Sequence, residues 1–202
     1  LPAAKQENPT AFKLLSNVIR KSAPKLQNSV TNFFNQVLVG SAVSSQVNDS
    51  ELVDHVYPLI YELHRLHPNF LERILPNICT QLQIEEEEIR IKAVKLLGKL
   101  FSSNAAEYGR EFHRGFKDFL GRFQDLSTNI RLEMVENGIE IMKSKPELRK
   151  LVEEQLVKRL RDTESDVRLK TLTGLLEFGL ENPLELSAAT YKEIGQRVVD
   201  KE

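Results

Sequence analysis

Two histidines three residues apart, His64 and His67, with Glu62 just before them, are groups that could ligate a cation or move a proton. On a helix that spacing puts two potential ligands on one face. Leu66 and Pro68 surround them, however, and no third ligand is indicated, so the cluster is read as structural and no metal is assigned. His55 and His113 have no nucleophile partner, no serine stands in a Gly-x-Ser-x-Gly elbow, and no glycine-rich phosphate loop is present. Cys79 is the single cysteine, which excludes an intrachain disulfide and a cysteine metal cage and favours a reducing compartment. No catalytic residue and no cofactor is assigned, and the chain is read as a non-enzyme.

What recurs instead is a short phrase around an arginine. Glu88-Ile89-Arg90-Ile91, Asn129-Ile130-Arg131-Leu132 and Asp166-Val167-Arg168-Leu169 repeat it three times, with the arginines 41 and 37 residues apart. That is the period of a two-helix repeat. Asp125 and Asp162 each precede an arginine, Arg131 and Arg168, by six residues, placing a carboxylate at the close of one helix and a cation at the start of the next. These four residues are expected to act as a structural turn ladder. Asp200 would begin a further pair whose arginine lies beyond Glu202, and with Leu1 as the first residue this suggests a fragment of a longer chain.

Each arginine phrase opens an amphipathic helix. From Ile89 to Phe101 the apolar residues Ala93, Val94, Leu97 and Leu100 recur at three- and four-residue steps, with Lys92, Lys95 and Lys99 on the opposite side. Ile130 to Met142 and Val167 to Leu180 repeat the pattern, and the same offset taken backward marks two more copies. The five second helices are placed near 8–20, 49–65, 88–102, 128–143 and 165–180. First helices are expected to begin near Pro24, Pro68, Tyr108, Pro146 and Pro183, several of them announced by a proline in the first turn. In the third, Phe112, Phe116, Phe119 and Phe123 form an aromatic stripe read as a packing face. No window alternates with period two for long enough to argue a strand. The predicted fold is all-α, a right-handed α-solenoid of HEAT repeats with about five helix pairs, forming one continuous array over residues 1–202.

Charge gives no whole-chain direction. Lys and Arg number 28 against 29 Asp and Glu, a net charge of −1, so partner choice rests on local patches. Nothing resembles a membrane span or a signal segment. Stacking the second helices in register gives an outward column of Lys13, Asp54, Lys92, Glu133 and Lys170, alternating in sign and expected to fix repeat register through partly solvated pairs worth about 0.2–1 kcal/mol each. Glu85 to Glu88 suit the positive end of the helix they precede. Arg110, Arg114 and Lys117 lie at helical spacing, and Arg149, Lys150, Lys158, Arg159 and Arg161 make the fourth first helix basic, although Glu147, Glu153 and Glu154 dilute it. Such clusters can touch phosphate, and ordinary solvated faces look the same. Tyr57, Tyr61, Lys95 and Lys99 share the second-helix surface and are the candidate partner-binding residues.

Several segments are similar to one family. Thr31 to Leu38, Leu75-Pro76, Arg90 to Phe101, and especially Phe119-Leu120-Gly121-Arg122-Phe123 followed by Asp125, Arg131, Leu132 and Glu133, resemble the cohesin-associated HEAT-repeat family named for precocious dissociation of sisters (Pds). The similarity runs from about Asn8 to Glu202 and looks like the family's amino-terminal half. In HEAT repeats the Asp-x5-Arg pair links adjacent repeats along the inter-helix turns. The resemblance implies a nuclear, chromatin-associated regulatory scaffold in sister chromatid cohesion that binds the kleisin of the cohesin ring and works with release and acetylation factors. Binding of the releasing factor Wapl is expected through parts of the full chain outside this fragment, because the family's motif for it lies upstream of the matched region. The competing readings are a HEAT adaptor of transport or phosphatase type, and an array contacting DNA directly. An import adaptor would be expected to carry tryptophans on its second helices, and this chain has none.

Overall fold

Apolar residues at three- and four-residue steps make helices that bury one stripe and leave the other wet, and this pattern organises the computed structural model, which describes residues 8–43, 50–68 and 72–198. Among those residues the regular structure is ten α-helices and two short 3-10 turns, with no strand. No helix among them is long and apolar enough to cross a membrane. The chain divides into two compact units, Leu1–Gln81 and Leu82–Glu202.

The first unit holds α1 (Pro9–Val43), α2 (Ser50–Leu66) and α3 (Leu75–Gln81). Its core joins Ala23, Phe34 and Leu38 of α1 to Val56 and Ile60 of α2 and to Leu75 and Ile78 of α3. Polar side chains tie the helices together: Arg20 Nε donates to the Leu66 carbonyl at 3.4 Å, Arg73 to Asn28 Oδ1 at 2.9 Å, and the Gln81 amide to the Leu38 carbonyl at 3.2 Å. Here the helix boundary expected at Pro24 is absent. Pro24 lies inside the 35-residue α1, so the segment placed near 8–20 and the first helix expected after it are one element. A proline in a helix interior costs about 3 kcal/mol through its missing donor and the crowding of its ring. Ala23, Phe34 and Leu38 stand on one buried face spanning that site, and keeping the face continuous outweighs the local penalty.

The second unit carries α4 (Glu87–Phe101), α5 (Tyr108–Glu111), α6 (His113–Gly121) with a 3-10 turn at Arg122–Gln124, α7 (Thr128–Ser144), a 3-10 turn at Pro146–Leu148, α8 (Arg149–Arg159), α9 (Ser165–Glu181) and α10 (Ala188–Val198). The second helices form one layer, with α7 packed between α4 and α9, while α8 backs α7 and α9. The first helix expected from Tyr108 is broken at Phe112, whose φ of −111° and ψ of 51° separate α5 from α6. Of the predicted aromatic stripe, Phe116, Phe119 and Phe123 are buried, and the Phe101 ring meets Phe116 and Phe119 at centroid distances of 5.0 and 5.2 Å. Phe112 is half-buried against Tyr108. The Ser127 hydroxyl caps α7 by accepting from the Ile130 N–H at 3.3 Å.

Candidate functional site

The charged groups of the second unit gather in the turns that lead into α7 and α9. Arg131 donates through Nε and Nη2 to both carboxylate oxygens of Asp162 at 2.9 Å, and its Nη1 reaches back to the carbonyls of Asp125 and Leu126 at 2.9 and 3.1 Å. Arg90 repeats this one copy earlier. Its Nε and Nη2 meet Asp125 at 3.1 and 3.2 Å while Nη1 holds the carbonyls of Ile84 and Glu85. In the third copy Arg168 Nη1 donates to the carbonyls of Asp162 and Thr163 at 3.0 and 3.1 Å. Each arginine therefore fastens the turn of its own copy by backbone contacts, and Arg90 and Arg131 each also grip the carboxylate of the following copy. The fork geometry of a guanidinium suits this double task.

Two further arginines complete these turns. Arg122 Nη1 donates to Asp125 at 3.1 Å and to the Leu82 carbonyl at 3.0 Å, and Arg159 Nη1 donates to Asp162 at 2.7 Å. Both stand three residues before their aspartate, an Arg-x-x-Asp signal repeated 37 residues apart that periodicity reasoning passed over. Burial pushes the Asp162 carboxyl upward, but the Arg131 hydrogen bonds, the Glu164 N–H and the charges of Arg131 and Arg159 outweigh it and hold the group below the usual carboxylate range. Ile84 occupies the aspartate's place in the first copy, six residues before Arg90.

Along the layer of second helices, ion pairs cross from copy to copy. Lys95 meets Glu133 at 3.8 Å and Lys170 meets Glu136 at 2.8 Å, so these pairs run one helical turn off the predicted column of Lys92, Glu133 and Lys170. The Lys170 hydrogen bond and charge hold the Glu136 carboxyl below its ordinary range. Lys13 is exposed on α1, and the side chain of Asp54 lies outside the described residues. Beside the pairs the helices touch closely. A Cβ on Gly174 would lie 2.8 Å from Ile139 Cγ1, and one on Gly98 would lie 2.2 Å from Asn137 Oδ1. At both seams the glycine lies on the outer helix, Gly98 of α4 facing Asn137 and Gly174 of α9 facing Ile139 of α7.

The opposite ends of the helices are tied as well. The buried Lys145 donates to the Ala106 carbonyl at 3.3 Å and to Glu107 at 3.2 Å. Arg149 pairs with Glu185, donates to the Met142 carbonyl at 3.0 Å, and sets its guanidinium 5.4 Å from the centre of the Phe178 ring. Glu153, buried on α8, accepts the Ser187 N–H at 2.9 Å and the Thr190 hydroxyl, and so caps α10 from a neighbouring helix. Nothing in the sequence singles out Glu153, because its partners lie 34 and 37 residues away in another element.

The candidate partner-binding residues separate in exposure. Lys95 and Lys99 stand exposed on α4. Tyr57 does not share that surface: at 5% exposure it belongs to the core of the first unit, on the buried face of α2 with Val56 and Ile60, and burial pushes its hydroxyl up to about 12. Tyr61 is half-buried, its ring 6.4 Å from that of His64. His64 is fully buried, and desolvation pulls its imidazole down to about 4. Among the described residues no group of three or more side chains is arranged to hold a metal ion.

Comparisons with known proteins agree on one relationship. The family model for the sister chromatid cohesion protein PDS5 matches residues 1–202. The human sister chromatid cohesion protein PDS5 homolog B is 30% identical over 201 residues, which cover 100% of this chain and 14% of that protein. The chicken PDS5 homolog A is also 30% identical, with 15% of its length covered. A chain of the solved Pds5–Scc1 complex superposes on 92% of this chain with a TM-score of 0.78 at 18% identity, and the match takes in 29% of that chain. Its fold is that of HEAT-type helix pairs. The chain thus spans about a seventh of the length of the vertebrate proteins it resembles.

Proposed function

Because this chain belongs to the PDS5 family of sister chromatid cohesion proteins, we propose that it is part of a non-enzymatic cohesin regulatory scaffold that binds the kleisin subunit of the ring, in the nucleus and on chromatin. The observation that carries this is the match of the family model to residues 1–202, supported by the likeness in fold to a protein that was solved together with Scc1. A row of helix pairs suits the task, since each pair is supported by its neighbours and the outer faces stay open to extended or helical segments of other chains. Asp125, Arg131, Asp162 and Arg168 belong to the framework of that scaffold, and the pairs Lys95–Glu133 and Lys170–Glu136 to its register. Lys95 and Lys99 in the second unit, and separately Tyr61 in the first, are assigned to partner contact. Cooperation with release and acetylation factors belongs to the same reading and concerns the longer protein.

Pull-down of a kleisin fragment by this chain, run beside binding to naked duplex DNA at two salt concentrations, tests the proposal. Retention of the kleisin fragment is expected, with DNA binding weak and lost at the higher salt. Strong DNA binding without kleisin binding overturns it.

A further inference from the structure

In the second unit, α5 and α6 turn a row of uncommitted cations to solvent. Arg110, Arg114, Lys117 and Gly121 keep the same steps of four, three and four as Phe112, Phe116, Phe119 and Phe123 and run two residues ahead of them, which puts the row on the side of the helix opposite the rings. All four are exposed. Lys95, Lys143, Lys145, Arg161 and Lys170 of the same unit each meet a carboxylate, whereas Arg110, Arg114 and Lys117 form no ion pair among the described residues. The following copy is in place beside the row: Gly109 packs against Leu148 at its start, and α8 against the Arg122–Gln124 turn at its end. Gly121 closes the row with no reason from packing. Its φ of −58° and ψ of −25° suit any residue, and a Cβ there would meet nothing within 4 Å among the described residues. A Cβ on Gly109 would lie 2.4 Å from Leu148 Cδ1 and one on Gly138 2.9 Å from Phe123 Cζ, so packing requires those two glycines. Glycine weakens a helix relative to alanine, and where the chain's own packing does not ask for it, it permits the close approach of another backbone.

We propose that Arg110, Arg114, Lys117 and Gly121 form a docking site for a short extended segment of a partner chain that carries carboxylates at alternate positions. At 1.5 Å per residue the row runs about 16 Å, with its cations about 6 and 4.5 Å apart along the axis. Side chains on one face of an extended segment recur at about 6.6 Å, so two carboxylates of such a segment fall within reach of the row together. The two guanidiniums take carboxylates through paired hydrogen bonds, and the segment's main chain can lie on Gly121, where no side chain holds it off. Charge density selects carboxylates over phosphates. Duplex DNA carries one charge per about 1.7 Å and is held firmly only through about 6–10 phosphate contacts. This row offers three cations bordered by Glu111 and the half-buried Asp118, which leave room for widely spaced charges and repel a dense run. Lys95 and Lys99 stand on a different helix, α4, so the inference goes beyond the kleisin reading and stands or falls apart from it.

The test measures the binding of fluorescein-labelled peptides both to this chain and to the full-length protein. One peptide alternates glutamate and threonine, a second has lysine in place of glutamate, and a third has the composition of the first with its glutamates in an unbroken run. Anisotropy is expected to show the alternating glutamate peptide binding about tenfold more tightly than the lysine peptide, and more tightly than the unbroken run. Arg110→Ala combined with Arg114→Ala and Lys117→Ala should weaken it about tenfold and leave the melting temperature of this chain unchanged, since the three side chains are exposed. Gly121→Ala should raise the melting temperature and still weaken the peptide, an opposition that a merely structural glycine would not produce. Equal binding of the glutamate and lysine peptides overturns the proposal, as does a Gly121→Ala variant that binds like the parent chain. Tighter binding of a duplex oligonucleotide than of the glutamate peptide at about 0.15 M salt overturns it as well. So does a full-length protein that binds no peptide and shields Arg114→Cys from a maleimide, because the row is then covered from within the same polypeptide.

Discussion

Arg131 uses both edges of one guanidinium, one on the carbonyls of its own turn and the other on Asp162. Removing it takes two hydrogen bonds from an almost wholly enclosed carboxylate that keeps Arg159 and the Glu164 N–H, a change that costs about 1.5–3 kcal/mol. Urea denaturation of Arg131→Ala should show that loss, and Arg131→Lys should recover little, since an ammonium cannot make the paired contacts. Unchanged stability with lost partner binding would move the arginine from the framework to the partner surface. His64 makes a second residue-scale prediction. Its folded value near 4 lies below the ordinary 6.5, so the unfolded chain takes up the proton first; the stability due to the neutral, buried ring is complete above about 6.5 and is lost as pH falls toward 4. The His64 ring resonances should show the neutral form at pH 5.5, and protonation there with a normal midpoint would be inconsistent with its burial. At this scale the spacing Asp125 to Arg131 was legible, but the carboxylate's destination was not: its oxygens meet Arg90 and Arg122, and Arg131 takes the backbone carbonyl. Tyr57 shows the same limit, because an aromatic ring with a polar tip suits either face of a helix and its residue type does not say which.

The second helices of the second unit were readable because their apolar steps follow the helical period, as in Ala93, Val94, Leu97 and Leu100 of α4. The first helices were less so. Pro24 has the look of a helix start and sits inside one, and Phe112 continues an aromatic stripe across a break in the backbone. In both places tertiary packing overrode the local signal. What the elements require of one another is clearest at the seam between α7 and α9. Gly174→Ala should destabilise the second unit by about 1–3 kcal/mol, since its methyl would fall on Ile139, and Ile139→Ala in the same chain should recover part of the loss. Gly98→Ala should cost less, because Asn137 offers a flexible side chain that can turn away. A thermodynamic cycle with no coupling between Gly174 and Ile139 would show that the helices do not meet there.

For the whole molecule the division at Gln81 and Leu82 has a testable meaning. The arginine–aspartate turns, the paired second helices and the phenylalanine cluster all lie within Leu82–Glu202, so that segment expressed alone should be helical by circular dichroism and melt cooperatively. Arg131→Ala should lower its melting temperature as it does in the intact chain. An unfolded segment would mean that the second unit depends on the first. The ladder also has a direction in time. Arg131 precedes the carboxylate it grips by 31 residues and Arg90 precedes its own by 35. On a ribosome adding about 5–20 residues per second, each arginine waits roughly 2–7 s for its counter-ion. The turns at Arg90 and Arg131 can therefore close at once on their own carbonyls, but each gains its carboxylate only after the next first helix has been made.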